Sequence, residues 1–275
     1  MRTGVSGIDH VMIAVRDLAD AHRKLSRLGF TLSPRGEHSR LATANHTAMF
    51  SAGNYLELLT LRAPQPANRA FALPPGLHEG ATALALRTSD PKSLRDALRA
   101  EGFETAEPIE FSRAVDDDLA RFTTVALSPR PDLGLTVFAC CHHTPELVWR
   151  PALLSHANGA MGLRRIGFVS AAHEIQAAAY GRLLGAPPVH TAWGFSLSVG
   201  SVTLEFRQAL APAAQKPPPP IATLGFAVAS VPGLERYLFG AGVPFTADGA
   251  MRRVAASHAA GCDYTFEPAE RRDDG

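Results

Sequence analysis

Cysteine is scarce in this chain of 275 residues, with 3 in all. Cys140 and Cys141 are neighbours and no CxxC spacing occurs, which excludes a disulfide framework and a zinc ribbon. Reduced thiols are therefore expected. Lysine occurs only at Lys24, Lys92 and Lys216, and charge of either sign is in no surplus: Lys+Arg 27 against Asp+Glu 26 gives a formal charge of +1. A polyanion would find no basic field, so nucleic acid is not an expected partner. No uncharged apolar run reaches the roughly 18 residues of a membrane span, and Met1 to Gly7 carries no hydrophobic signal core. No membrane partner and a cytoplasmic location are the expectations. With 46% hydrophobic and 19% charged residues the composition is that of a folded chain, and its length allows two domains or one built from repeats.

Repeats organise what is present. Ile8 to Val15 is an apolar, β-branched run and reads as a strand. A helix follows, with Asp17 as N-cap, Leu18, Ala21, Leu25 and Leu28 on one face and Gly29 in the left-handed position at its end. Strand signals come next at Thr31 to Ser33, Ala42 to Ser51 and Tyr55 to Leu61. The same order recurs from Thr82, where Asp90 and Pro91 open a helix that ends at Gly102 and Arg121 to Leu127 and Leu135 to Cys141 supply the last strands. A third copy begins near Leu163, with Ser170 capping, Ile175, Ala179 and Leu183 inward, Gly185 terminating, and strands at Phe195 to Val199 and Val202 to Phe206. The fourth runs from Ala222 through Ser230 and Gly242 to the strand Tyr264 to Glu267. Each helix-ending glycine precedes an apolar residue, Phe30, Phe103, Ala186 or Val243, read as the start of the second strand.

One such unit cannot bury both its sheet and its helix, so units should pair. The expected fold is α+β: four βαβββ modules (7–62, 80–143, 162–210, 221–269) paired into two half-barrel cups of mixed, largely antiparallel curved sheet with helices outside. The expected domains are 1–148 and 162–275, with 149–161 as connector, Trp149 and Arg150 pinning them together, and a proline-rich spacer at Ala211 to Pro220. The tail Glu270 to Gly275 reads as a frayed terminus.

The strings GIDHVMIAVRDL, LGF, NYLELLTL, HHTPELVWRP and HANGA resemble the vicinal oxygen chelate superfamily (glyoxalases, bleomycin-resistance proteins, extradiol dioxygenases), and within it the glyoxalase-like domains. That resemblance implies paired βαβββ units whose cup holds a divalent metal, here zinc, nickel, manganese or iron, with ligands on first and last strands of paired units. It spans lyases and isomerases, dioxygenases and sequestering proteins, so the name leaves the reaction open.

His10 and Glu57 fill both ligand positions of the first unit. Glu57 lies in Tyr55-Leu56-Glu57-Leu58-Leu59, a strand apolar on both faces, where a carboxylate is costly unless paired, protonated or bound to a cation. His10 interrupts an equally apolar strand, and the alternative for it is a hydrogen-bonded core histidine. Counting 19 residues back from each helix-ending glycine, as from Gly29 to His10, gives Ala83 and Thr223 in units two and four, and Ile166, or Leu163 for a longer helix, in unit three. None can hold a metal. His142 is the expected third ligand, with His46 as its rival; the alternative for His142 is capping the turn into Thr144-Pro145. Asn45, His46 and Cys140 are expected against the substrate, though Cys140 and Cys141 straddling a strand also suit plain core packing. Glu205, which matches Glu57, is assigned to the other cup. The expected activity is a metal-dependent lyase or isomerase on a small substrate with vicinal oxygens, Glu57 moving a proton; alternatives are an extradiol-type dioxygenase and a non-catalytic binding protein. A monomer or homodimer is expected.

Overall fold

A computed structural model of the chain describes residues 3–38, 41–65, 68, 71–73, 78–209 and 220–269. The spacer expected at 211–220, save Pro220, and the expected frayed tail at 270–275 lie outside the described residues. Four strand–helix–strand–strand–strand units follow one another. They are β1 Gly7–Ala14, α1 Leu18–Arg27, β2 Gly36–His38, β3 Thr43–Met49 and β4 Tyr55–Leu61; then β5 Gly80–Arg87, α2 Pro91–Ala100, β6 Ile109–Val115, β7 Asp118–Ala126 and β8 Thr136–His142. The third unit comprises β9 Ala160–Ser170, α3 His173–Leu184, β10 Val189–Thr191, β11 Gly194–Val199 and β12 Val202–Gln208, and the fourth β13 Ile221–Val228, α4 Val231–Gly240, β14 Thr246–Asp248, β15 Met251–Val254 and β16 Asp263–Pro268. Among the described residues no helix is long and apolar enough to cross a membrane.

The helices begin where side chains satisfy orphan N–H groups. Asp17 accepts from the Asp20 N–H, Asp90 from Ser93 with Pro91 at the first turn, and Ser230 from Gly233. In the third unit Ala172, not Ser170, holds the cap position; the Ser170 hydroxyl accepts the Ala172 N–H instead. Ile175, expected inward, is 62% exposed, because α3 turns Ala179, Tyr180 and Leu183 to the sheet. At the other end all four helices stop in the same way. Gly29, Gly102, Gly185 and Gly242 take positive φ, and the next residue donates its N–H back to the carbonyl of the preceding turn: Phe30 to Leu25, Phe103 to Leu98, Ala186 to Gly181, Val243 to Leu238. This Schellman closure corrects the expected second strands. The apolar residue after each glycine closes the helix end, and Phe30, Phe103 and Val243 are buried there, so the strand starts later, at Gly36 rather than Thr31 in unit one.

Within every unit the first strand pairs parallel with the fourth, which pairs antiparallel with the third. First strands then pair antiparallel across units, β1 with β5 and β9 with β13. The result is one arc, β2-β3-β4-β1-β5-β8-β7-β6, and a second, β10-β11-β12-β9-β13-β16-β15-β14, joined through Ile221 beside Ala81 into one curved, unclosed sheet. The helix-side core is continuous across both arcs: Phe30 and Phe50 of unit one pack against Phe226 of unit four, and Phe30 also meets Tyr264. Buried polar clasps tie the arcs. Asn54 exchanges two bonds with the backbone of Leu163, Asn158 holds the Leu28 carbonyl, and His156 donates to the Met49 carbonyl while accepting the Thr31 N–H. The concave face of the first arc carries its own apolar cluster, with Met12, Met49, Tyr55, Ala85, Phe122, Phe138 and Cys140. Its edge strands draw together at the rim, where the His38 ring meets Phe111 edge-on at 6.3 Å.

Candidate active site

His10 and Glu57 meet on the concave floor of the first arc. His10 sits on β1 beside Tyr55, Glu57 on β4 beside Met12, and His10 Nε2 lies 3.5 Å from Glu57 Oε2. Both are buried, at 3% and 6% exposure. Asn45, two residues before Thr47 on β3, donates Nδ2–H to Glu57 Oε1 at 2.7 Å, while its own Oδ1 has no partner among the described residues. Glu57 is thereby gripped by one oxygen, leaving Oε2 toward the imidazole.

A residue that sequence reasoning missed organises the rest. The register of β1 against β5 slips between Ile8 and His10, so Asp9 is the extra residue of a bulge and turns to the same face as its neighbour. Asp9 is fully buried and its Oδ1 accepts from His10 Nδ1 at 2.7 Å and from His142 Nε2 at 3.0 Å. Burial drives its carboxyl upward, yet the hydrogen bonds from His10 and His142 and the electrostatic pull of the two rings outweigh burial and hold the carboxyl well below the usual carboxylate range. The floor is thus a chain of polar groups, His142–Asp9–His10–Glu57–Asn45.

The other predicted residues separate. His142, at the end of β8, joins the group through Asp9 and not beside Glu57. Cys140, on the same strand, faces the cup; burial first, and then the charges of Asp9 and Glu57, push its thiol well above the usual range. His46 is placed on the opposite face, its Nδ1 donating to the Ser33 carbonyl and its ring against His22 of α1. Trp149, expected between domains, instead roofs the cup, 4.8 Å from the His142 ring and 5.7 Å from Tyr55, with Nε1 buried and unpartnered among the described residues. Arg150 pairs with Asp116 within the first half. Tyr55 stacks on His10 at 4.3 Å and Phe138 meets it edge-on at 5.4 Å. Opposite His10 and Met12, β5 offers only Ala85 and Ala83, so unit two adds no donor from its first strand.

The second arc repeats the register with different chemistry. Glu205 pairs with Gly167 as Glu57 pairs with Met12, which makes Arg165 the counterpart of His10. The glycine count leads to Ile166 or Leu163 because α3, with 12 residues against 10 in α1, is longer by less than a full turn. Arg165 binds Glu205 at 3.1 Å and Glu267 at 2.9 Å, and Arg207 binds the other Glu205 oxygen at 3.0 Å while lying over Trp193. A separate cleft of about 510 Å³, lined by Arg16, Lys24, His78, Glu79 and Ser257 among others, contains none of the predicted site residues.

The family model for the glyoxalase-like domain matches residues 8–184. The chain belongs to this family. It is accordingly a member of the vicinal oxygen chelate superfamily, and solved structures agree in fold. A hypothetical protein from Staphylococcus aureus superposes with a TM-score of 0.70 at 13% identity over 95% of this chain and 98% of that one. A mutant of 4-hydroxymandelate synthase from Streptomyces coelicolor gives 0.68 at 15% identity, covering 99% and 95%. The Mn(II)-bound glyoxalase from Novosphingobium aromaticivorans gives 0.57 at 16%, covering 98% and 85%. No curated protein matches the chain in sequence. At such identities the likeness is one of fold.

Proposed function

We propose that this glyoxalase-like protein is a metal-dependent lyase or isomerase acting on a small molecule with vicinal oxygens, in the cup formed by a first domain at 1–148, with 162–275 as second domain. The supporting observation is the His10–Glu57 pair with Asp9 behind it. With Nδ1–H donated to Asp9, the His10 Nε2 lone pair faces a carboxylate oxygen 3.5 Å away. Two acceptors face each other there, which calls for a proton or a cation between them. An imidazole backed by a carboxylate, beside a second carboxylate, is a donor set that fits zinc, nickel, manganese or iron. Such an ion, held by His10 and Glu57, would supply Lewis-acid polarisation of adjacent substrate oxygens.

The chain's own groups do the rest. Glu57 Oε2 takes the proton from the hydroxyl-bearing carbon alpha to a carbonyl, the C–H electron pair becomes a carbon–carbon double bond as the carbonyl pair moves onto its oxygen, and the same carboxyl returns the proton to the former carbonyl carbon while the hydroxyl proton passes to the neighbouring oxygen. Asn45 keeps Glu57 oriented through Oε1, and its Oδ1, unpartnered among the described residues, is available to a substrate hydroxyl. Tyr55, Phe138 and Trp149 exclude water from the reacting carbon. An extradiol reaction needs a second imidazole at the pair, whereas His142 is engaged by Asp9. Binding without turnover is the second reading; the apolar Ala83, Ala85 and Phe138 around the pair support it.

The test is hydrogen exchange. Protein loaded in turn with each of the four metals is incubated in D₂O with 2-hydroxy ketones and 2-oxo acids, and loss of the C–H resonance is followed by NMR. Exchange that stops with chelator, with Glu57→Gln and with His10→Ala is the expected result. Ligand-induced thermal stabilisation without exchange, unaltered by chelator, would establish the binding reading instead.

A further inference from the structure

The floor of the first cup holds a donor set of which the proposed reaction uses only Asp9, as the acceptor behind His10. One oxygen of Asp9, the Cys140 sulfur and one ring nitrogen of His142 all lie within 4.8 Å of one another. The Cys140 residue is 3% exposed, and the side chains of Asp9 and His142 are 0% and 7% exposed. His142 Nδ1 is buried without a hydrogen-bond partner among the described residues, which is costly for a polar atom unless something fills the gap. We propose that Asp9, Cys140 and His142 form a site for a borderline-soft divalent ion of the zinc class, with thiolate ligation, distinct from the His10–Glu57 pair.

Three observations support this. The first is charge. Two carboxylates, Asp9 and Glu57, are buried on this floor, and the guanidinium of Arg87 stands 3.5 Å from Asp9 Oδ2 with its Nη2 spent on the carbonyls of Ile8 and Gly53. The second is the other arc. There β13 and β16 pair Ala227 with Glu267 as β5 and β8 pair Arg87 with Cys140, so Glu267 is the counterpart of Cys140, and it is neutralised by the guanidinium of Arg165. The second cup thus places a guanidinium at this register, where the first has His10 and meets Arg87 only at Asp9 Oδ2. The third is donor chemistry. A thiolate, an imidazole and a carboxylate together favour Zn(II) or Co(II) over Mg(II) or Ca(II), and three protein ligands leave a coordination position open. The rings of Phe122 and Trp149, 5.0 and 4.8 Å from His142, wall the site against water.

The site is tested by Co(II) loading of the metal-free full-length chain, read by absorption. Thiolate ligation gives a sulfur-to-cobalt charge-transfer band in the near ultraviolet together with the intense visible bands of a four-coordinate ion. The expected result is a band that saturates at one equivalent, is abolished by Cys140→Ser and by His142→Ala, and survives both Cys141→Ser and the double change His10→Ala with Glu57→Gln. Circular dichroism confirms that each variant is folded. Should Cys140→Ser fail to fold, the zinc-edge absorption spectrum of the wild-type protein decides, a sulfur shell supporting the site and its absence overturning it. The proposal is also overturned by cobalt bound without the charge-transfer band, by a band that persists in Cys140→Ser, by one lost in Cys141→Ser, or by no binding at all. Because the readout is spectroscopic, a missing band with intact hydrogen exchange removes this site alone, and a band without exchange removes only the proposed reaction.

Discussion

Replacing Asp9 by Asn probes the centre of the polar chain without changing its shape. In the native protein one oxygen of this carboxylate accepts from His10 at 2.7 Å and from His142 at 3.0 Å, with no water-exposed surface to compensate their loss. Hydrogen bonds to a charged group contribute about 1.5–3 kcal/mol each. An amide keeps one carbonyl oxygen, so it retains part of one bond and none of the charge, and the expected destabilisation is about 2–4 kcal/mol. The pH dependence has a definite sign. Asp9 is held below its ordinary range when folded, so its contribution is complete above the unfolded carboxyl value of about 3.9 and is lost as pH falls toward the folded value. The deficit of Asp9→Asn should therefore be constant between about pH 7 and 5 and shrink in stronger acid. Urea unfolding followed by circular dichroism, in chelator so that no metal contributes, measures it. A deficit under about 1 kcal/mol at pH 7 with an unaltered slope, or one that widens in acid, would refute the account of Asp9 as the buried charge on which both imidazoles depend.

Three other substitutions or conditions follow from the same structure. His46→Ala should leave hydrogen exchange within about twofold and cost about 1 kcal/mol through the lost bond to the Ser33 carbonyl, since its ring is on the helix side; a collapse of exchange would move the reacting face. Gly261→Ala should cost about 3 kcal/mol in a melting or urea experiment, because φ is +86° there and a β-carbon would overlap the Glu79 carbonyl where the arcs join; a neutral effect would mean that the junction gives way. Between pH 7.5 and 5.5, urea midpoints should fall with acid. Burial lowers the His156 pKa, as it does for His22 and His38, so the unfolded chain takes up protons first and stability is lost below about pH 6.5. Protonation also removes the acceptor for the Thr31 N–H, and His156→Gln should flatten the slope.

The repeat was readable because every unit ends its helix in a glycine that only a left-handed residue position explains, and three of the four open it with a capping Asp or Ser. His10 and Glu57 were readable for a related reason, since ionisable groups inside apolar strands announce a cost that something must offset. Asp9 was not, because strand alternation assigns neighbours to opposite faces and only a bulge, a property of pairing between β1 and β5, brings it round beside His10. An acid directly before the histidine in an apolar run was the available signal. Trp149 was missed for a different reason: its distance from Tyr55 in sequence hides a contact that closure of the arc creates. Arg165 was missed by counting from the wrong end of a helix whose length varies, where counting along the strand register from Glu205 finds it.

The two arcs therefore share a backbone and differ in how they neutralise the same positions. At the register of His10, Glu57 and Cys140, the second arc places Arg165, Glu205 and Glu267, a network that is complete with protein groups alone and half open to solvent, where ion pairs contribute little and ligands gain little. The first arc keeps one carboxylate at that register, adds another through the bulge, replaces the guanidinium with an imidazole and seals the whole under rings, where every unpaired polar atom is expensive. Two buried carboxylates with one guanidinium, Arg87, beside only one of them are costly for a structure and useful for a site, because the energy released when a ligand completes it is largest where water is excluded. That asymmetry favours the first cup as the seat of this protein's chemistry, and it predicts that exchanging the pair, with His10→Arg in the first cup, should stabilise the fold in chelator while abolishing metal-dependent hydrogen exchange. A less stable protein that still exchanges would show that the floor of the first cup is neutralised in some other way.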